Sequence, residues 1–432
     1  MPEKRSGNNI LVLHIFLSIS ILLGIIIFSE RLGLAQEPVT ASLNSLIDEA
    51  CRNNPAVKEA HNRWKAAEYK VKEVSGLPDP MASYTYFGES VQTRVGPQKN
   101  KYGLSQKIPF PGKLSLKAKT QLKNAEILKE KYEATLREII KEIKFVYYDI
   151  FWVDKSTQIT EEEKVILEHM EKSARVKYES NLSPQQDVIK TQVELSKIIE
   201  RLFLLEQNRK ALVAKLNSIL NRSQNETFGK VENLEAQEFT HSLDELYQIS
   251  QSSKPELLAA NLDIERAQYE KSLAKSNYLP DFTLGFDYIQ VGSGHTNAID
   301  DGKDAWTTTI AVHIPLWFDK VSAQVNEKKA ALQASRDNYQ NIENRLNYEI
   351  EDLYSKIATY RDIVSLYKTA LIPQAEQSFE AAKTSYETGK VDFLNWLDSE
   401  KVLLQTKLAY YKTIVDYQKS IAYLERMAGA DL

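Results

Sequence analysis

The stretch Leu279-Pro280-Asp281-Phe282-Thr283-Leu284-Gly285-Phe286-Asp287-Tyr288 decides the fold, because its first residues are a copy and the rest alternates. The copy lies upstream, where Leu77-Pro78-Asp79 precedes Ala82, Tyr84 and Tyr86. The alternation sets Phe282, Leu284, Phe286 and Tyr288 against Thr283, Gly285 and Asp287, the period of a strand with one apolar face. A second strand is expected over 304–315, with Trp306, Thr308, Ile310, Val312 and Ile314 opposite Thr307, Thr309, Ala311 and His313. In the earlier copy, Tyr102, Leu104 and Ile108 share one face of the corresponding second strand.

The duplication extends along the whole chain. Ser42-Leu43 returns as Ser242-Leu243, Asn54-Pro55 as Lys254-Pro255, and Ala67-Glu68-Tyr69 as Ala267-Gln268-Tyr269. Ile108-Pro109 is answered by Ile314-Pro315, and Tyr178-Glu179-Ser180-Asn181 by Tyr386-Glu387-Thr388-Gly389. A period of roughly two hundred residues is far beyond that of solenoids and propellers. Each half therefore reads as helices, two strands and a long helical hairpin. The expected division is a signal peptide over 1–35, a first repeat over 36–221, a linker over 222–241 and a second repeat over 242–432.

Helical spacing fills the remainder, and its form is a coiled-coil seam. Leu346, Ile350, Leu353, Ile357, Tyr360, Val364, Tyr367 and Leu371 follow one another at alternating intervals of four and three. Leu136, Ile140, Ile143, Tyr147 and Ile150 do the same in the first half, and Leu195, Ile198, Leu202, Leu205, Leu212, Leu216 and Ile219 on its return helix. Helix breakers bound one long arm from Gly112 to Ser180, about 100 Å at 1.5 Å per residue. Its return arm, Pro184 to Asn221, covers half that length; Ser42 to Gly76, broken at Asn54-Pro55, supplies the other half. The second repeat has the same arithmetic, with a long arm over Asp319–Thr388 and short arms over Asp392–Ala428 and Ser242–Tyr278.

Lys4 and Arg5 precede an apolar run from Ile10 to Phe28, and Gly33-Leu34-Ala35 then has the small-x-small pattern of a signal-peptidase site. The run approaches the length of a spanning helix, so an uncleaved inner-membrane anchor stays open beside export. A mean hydropathy of −0.41 argues against a helical multispan protein. Any other membrane contact must come from strands, although a soluble sheet packing one face on a helix would show the same alternation. The single cysteine, Cys51, allows no intrachain disulfide. A net charge of −4 on 432 residues gives no basic surface for a nucleic-acid partner. The six histidines are scattered, and neither a phosphate loop, a His-Glu-x-x-His nor a Gly-x-Ser-x-Gly occurs. No enzymatic activity, cofactor or resident metal is expected.

With these features the chain resembles the TolC-like outer-membrane efflux channels over essentially all of its mature length. The resemblance rests on the duplication, on Leu77-Pro78-Asp79 and Leu279-Pro280-Asp281, on Ile108-Pro109-Phe110-Pro111-Gly112-Lys113, and on the tip sequence from Tyr386 to Asp398. It implies a mainly α fold with a small β part, in which duplicated hairpins and four transmembrane strands per chain build a shared 12-stranded barrel and an α-helical barrel as a homotrimer. It also implies a passive outer-membrane duct of a tripartite efflux or type I secretion-type system, in contact with lipid, its helical barrel in the periplasm, working with a periplasmic adaptor and an inner-membrane transporter. The alternative is a periplasmic coiled-coil adaptor or scaffold held by an uncleaved anchor.

Family channels narrow at acidic residues just past the tips, which carries over here to Asp187 and Asp398, with Asn395 standing where a second aspartate is common. Copies around an axis would turn these into rings that favour cations. Either acid also reads as an ordinary solvated helix residue or a first-turn carboxylate. Tyr386 reads as a tether through its hydroxyl or as seam packing. Asn181, Leu182 and Ser183, with Gly389, Lys390 and Val391, are implied adaptor-docking tips; Asn181 and Gly389 also suit left-handed helix ends.

Overall fold

The computed structural model describes residues 42–235, 238–294, 297 and 299–432. The segment expected as a signal peptide, 1–35, and His295 lie outside the described residues.

Helix α1 (Leu43–Asn53) and helix α2 (Pro55–Ser75) lead into strands β1 (Met81–Tyr86), β2 (Gln92–Thr93) and β3 (Gly96–Ile108). Helix α3 (Lys113–Glu179) then runs unbroken for 67 residues and returns as α4 (Gln185–Leu220). The order recurs with α5 (Leu243–Ser253), α6 (Pro255–Ser276), β4 (Asp281–Val291) and β5 (Ala305–His313). The second hairpin comprises α7 (Phe318–Leu366), a π-helical turn (Tyr367–Leu371), α8 (Ile372–Glu387) and α9 (Phe393–Ala428).

The long arm of the second repeat is thus not the single α-helix expected from its seam. Pro373 has no N–H to give to the carbonyl four residues back, and its ring would crowd that carbonyl. The ladder widens instead, so that Ile372 N–H donates to Tyr367 O, five residues back. The buried seam follows the change: Leu346, Ile350, Leu353, Ile357 and Val364 are buried, and the pattern resumes at Ala375 and Phe379. Tyr367 and Leu371, assigned to the seam from sequence, are only half-buried.

The chain breaks between paired short helices are built alike by different chemistry. Asn54 caps α2 by accepting from Ala56 N–H at 2.8 Å, and its Nδ2 donates to Ile219 O at 2.8 Å. Lys254 occupies the equivalent place and donates from Nζ to Arg426 O at 2.9 Å. Each side chain reaches the end of its repeat's return helix, where carbonyls lack helical partners. Two core clusters form where these short helices meet the hairpins. One gathers Leu46, Ile143, Ile150, Phe151, Leu216 and Leu220; the other gathers Leu246, Leu257, Ile350, Leu353, Tyr417 and Leu424.

All strands join in one antiparallel sheet with main order β1-β3-β4-β5, and the short β2 pairs with β3. Tyr84, Tyr102, Tyr288 and Trp306 stand in register across it, so each repeat's aromatic face is the same face of the sheet. That face is the open one: Tyr84 is 62%, Phe286 49%, Trp306 67% and Ile310 70% exposed. Along β3 and β4 the alternate residues Lys101, Gly103, Ser105, Thr283, Gly285 and Asp287 are half-shielded. A soluble sheet would do the reverse, since burying each large apolar side chain stabilises by about 2 kcal/mol. On the polar face the packing is close. Lys101 Nζ pairs with Asp287 at 3.0 Å, and a Cβ on Gly103 would stand 2.4 Å from Ser83 Oγ.

Candidate functional site

The two hairpin tips carry the candidate residues, and their backbones follow one pattern. Ser180, Asn181 and Leu182 N–H groups donate to Val176, Tyr178 and Lys177 carbonyls at 3.1, 2.9 and 2.8 Å. Thr388, Gly389 and Lys390 donate to Thr384, Tyr386 and Ser385 at 3.1, 3.0 and 2.8 Å. Both turns close through a left-handed residue, Asn181 at φ 56° and Gly389 at φ 73°. The expected helix ends are therefore observed, and the two tips are equivalent residue for residue.

Side chains then make them different. At the second tip Tyr386, Phe393 and Trp396 are all buried; the Tyr386 ring stacks on Trp396 at 5.1 Å and meets Phe393 edge-on at 5.5 Å. Lys177 of the first hairpin lies 4.0 Å over the Tyr386 ring and also donates to Tyr386 O. Tyr386 is thus a packing residue that locks the two hairpins together. Its hydroxyl is buried near Ser183 and in the field of Asp187, with no well-formed hydrogen bond among the described residues. Val391 packs half-buried against this cluster. Leu182 is 75% exposed, and Lys390 is also exposed. Ser183 Oγ makes a long contact of 3.5 Å with Ala174 O.

Asp187 and Asn395 occupy the same position, third in their helices. Asp392 caps α9 by accepting from Asn395 N–H at 3.0 Å, whereas Pro184 begins α4 without a side-chain cap. Asp187 is half-buried; burial raises its carboxyl above the ordinary range, Lys190 opposes this, and the Asp392 charge adds to it. Asp392, from the other hairpin, is therefore the acid that acts on Asp187. Asp398 stands exposed on α9, one turn further along. Sequence reading passed over Asp392 because a capping aspartate looks purely local.

It also missed a pair deeper in the hairpins. Glu163 on α3 and Glu400 on α9 are 6% and 3% exposed, and their carboxyls meet across the interface between the repeats. Nothing in the sequence separates them from the many solvated glutamates around them.

Two coiled-coil hairpins joined to an antiparallel sheet that leaves its aromatic face exposed make the build of an outer-membrane channel subunit. Residues 46–222 and 246–430 match the family model described as outer membrane efflux protein. The chain belongs to that family. It is 24% identical to the cobalt-zinc-cadmium resistance protein CzcC of Cupriavidus metallidurans over 43% of this chain and 42% of that one, less than half of the relative's length. Outer membrane protein TolC of Vibrio cholerae is 21% identical over 72% of each chain. The crystal structure of the outer membrane protein VceC from the same species superposes with a TM-score of 0.75 at 17% identity, covering 90% of this chain and 96% of that one. The family assignment replaces the adaptor alternative.

Proposed function

We propose that this chain is the outer-membrane duct of a tripartite efflux system, passing substrate delivered by an inner-membrane transporter and a periplasmic adaptor. The observation that carries the reading is the sheet, whose aromatic face is exposed and whose outer strands β1 and β5 each lack a neighbour on one side among the described residues. Lipid can cover the aromatic face, but it satisfies no strand edge. Three copies then close a 12-stranded barrel, with strands of about ten residues spanning the bilayer. Exposed Ile189, Val193, Ile199 and Phe203 on α4 supply apolar surface for packing against another copy in a periplasmic helical barrel. The mature chain divides at the linker 222–241 into two repeats, 36–221 and 242–432, after removal of residues 1–35.

Asp187 and Asp398 line the periplasmic constriction, with Asn395 reducing its charge, and the two tip loops 181–183 and 389–391 meet the adaptor. Light scattering of detergent-extracted protein tests the shared barrel: a closed trimer is expected, and a stable folded monomer overturns it. In a Cys51→Ser background, Ser293→Cys should react with an impermeant thiol reagent on intact cells, because the loop between β4 and β5 then faces outward. Asp187→Ala with Asp398→Ala should raise conductance and lower cation preference in planar bilayers. Unchanged current and reversal potential would make both acids plain surface residues.

A further inference from the structure

Above the tips, the interface between α3 and α9 holds polar atoms that the channel reading leaves without a role. Glu163 and Glu400 are both more than nine-tenths buried, and the remaining Glu400 oxygen, Oε2, has no hydrogen-bond partner among the described residues. Thr160 Oγ1, one turn before Glu163, and Trp396 Nε1, one turn before Glu400, are likewise buried without a partner. The charges around the pair come from three helices. On α4, Arg201 Nη1 lies 3.3 Å from Glu163 Oε2. Glu194 of the same helix is engaged by Lys197 at 3.1 Å and by Lys401 of α9 at 2.9 Å. Arg201 therefore pairs with Glu163 and Lys401 with Glu194, and Lys401 opposes the rise at Glu400 through its field, without an ion pair to Glu400 among the described residues.

Two buried carboxylates in contact with one cation between them cannot both stay ionised at low cost. A proton held between them satisfies Glu400 as donor and Glu163 as acceptor. We propose that Glu163 and Glu400 form a proton-binding site that fastens the first hairpin to the second, and that release of its proton loosens the hairpins at a level about five helical turns from the first tip and about two from the second. Burial is the main cause that raises both groups, to about 7 for Glu163 and about 8 for Glu400; the neighbouring carboxylate adds to it at Glu400, while Arg201 opposes it at Glu163. Since both sit above the ordinary carboxyl value of 4.5, the folded contact holds more protons than the separated hairpins. Its contribution is complete below that ordinary value and is lost as pH rises through about 7 to 8.

The consequence for conduction rests on the channel reading, whereas the proton site itself does not. In planar bilayers, opening of the wild type should increase from about pH 6 to about pH 9, by up to about tenfold per pH unit for each proton released. Glu400→Gln keeps a donor facing Glu163 at every pH, so its opening should stay at the low acid-side level. Comparison with this variant also removes any contribution from histidine titration. Infrared difference spectra of the folded wild type should show a carboxylic-acid C=O band that disappears over the same interval and is absent from Glu400→Gln. Glu163→Gln provides a second variant with the same expected loss if the first does not fold. Absence of a titrating acid band in the wild type, or a variant that opens with pH as the wild type does, overturns the proposal. A wild type that passes no current at any pH while its acid band titrates would refute the channel reading and leave the proton site standing.

Discussion

The two hairpins share a plan and differ in how firmly each is made. In the first, α3 is continuous for 67 residues; in the second, 49 residues of α7 give way to a five-residue π turn before the 16 of α8. At the tips the asymmetry is reversed. The first closes on Asn181 and starts its return helix at an uncapped Pro184, with Leu182 in solvent. The second closes on glycine, is capped by Asp392, and buries three aromatic rings beneath the turn. Continuity of the rod and firmness of the tip are therefore separate properties in this chain, set by different residues.

The sharpest way to break that contrast is to remove an aromatic ring. Phe393→Ala should cost the second tip about 3 to 5 kcal/mol, whereas Leu182→Ala at the first should stay within about 0.5 kcal/mol. Amide hydrogen exchange around each turn measures both, and equal losses would abolish the distinction. Next in size, Pro373→Ala restores the missing N–H and should stabilise the long arm by about 1 to 3 kcal/mol. Exchange over 367–371 should then slow; an unaltered pattern would show that seam packing, and not proline, holds the π turn. Gly389→Ala meets open space but a left-handed backbone, so a loss of about 1 to 2 kcal/mol is expected.

Asp392→Ala should cost about 1 kcal/mol through the lost cap, and Pro184→Ala, which loses no side-chain cap bond, much less. The smallest effect is electrostatic. Asp187 is raised by burial first and by Asp392 after it, so what it contributes to stability is greatest at acid pH and fades as pH climbs through its raised value. Asp392→Asn should move that titration downward, as carbon-13 NMR of the Asp187 carboxyl would report.

Periodicity made the helices and strands legible, because a seam of Leu346, Ile350, Leu353 and Ile357 or an alternation such as Phe282 to Tyr288 repeats enough to outweigh any one residue. Single-residue chemistry was harder to see. Pro373 sits inside an otherwise regular seam, and its effect depends on whether the ladder can widen or must stop. At the tips, counting from Tyr178 and Tyr386 located Asp187 and Asn395 at equivalent positions, since register survives duplication. Pairings across repeats, Asp187 with Asp392 and Glu163 with Glu400, had no such register to follow. They depend on how one hairpin lies against the other, which neither repeat encodes alone.

The sheet register also sets an order of events in the making of the molecule. The hairpins bring together residues close in sequence, so α3 and α4 can associate as soon as both have been exported. Strand β3 is different: Ile108 pairs with Phe282 and Gln98 with Val291, with the whole first hairpin and the short helices α5 and α6 emerging between the partners. Closing so long a loop is slow relative to local helix pairing. During export the first repeat must therefore hold two finished helical arms beside a β1-β3 ribbon whose β3 edge still lacks its β4 neighbour. Those aromatic strands are the part of the nascent chain that a periplasmic chaperone would have to shield until Asp281 to Val291 emerge.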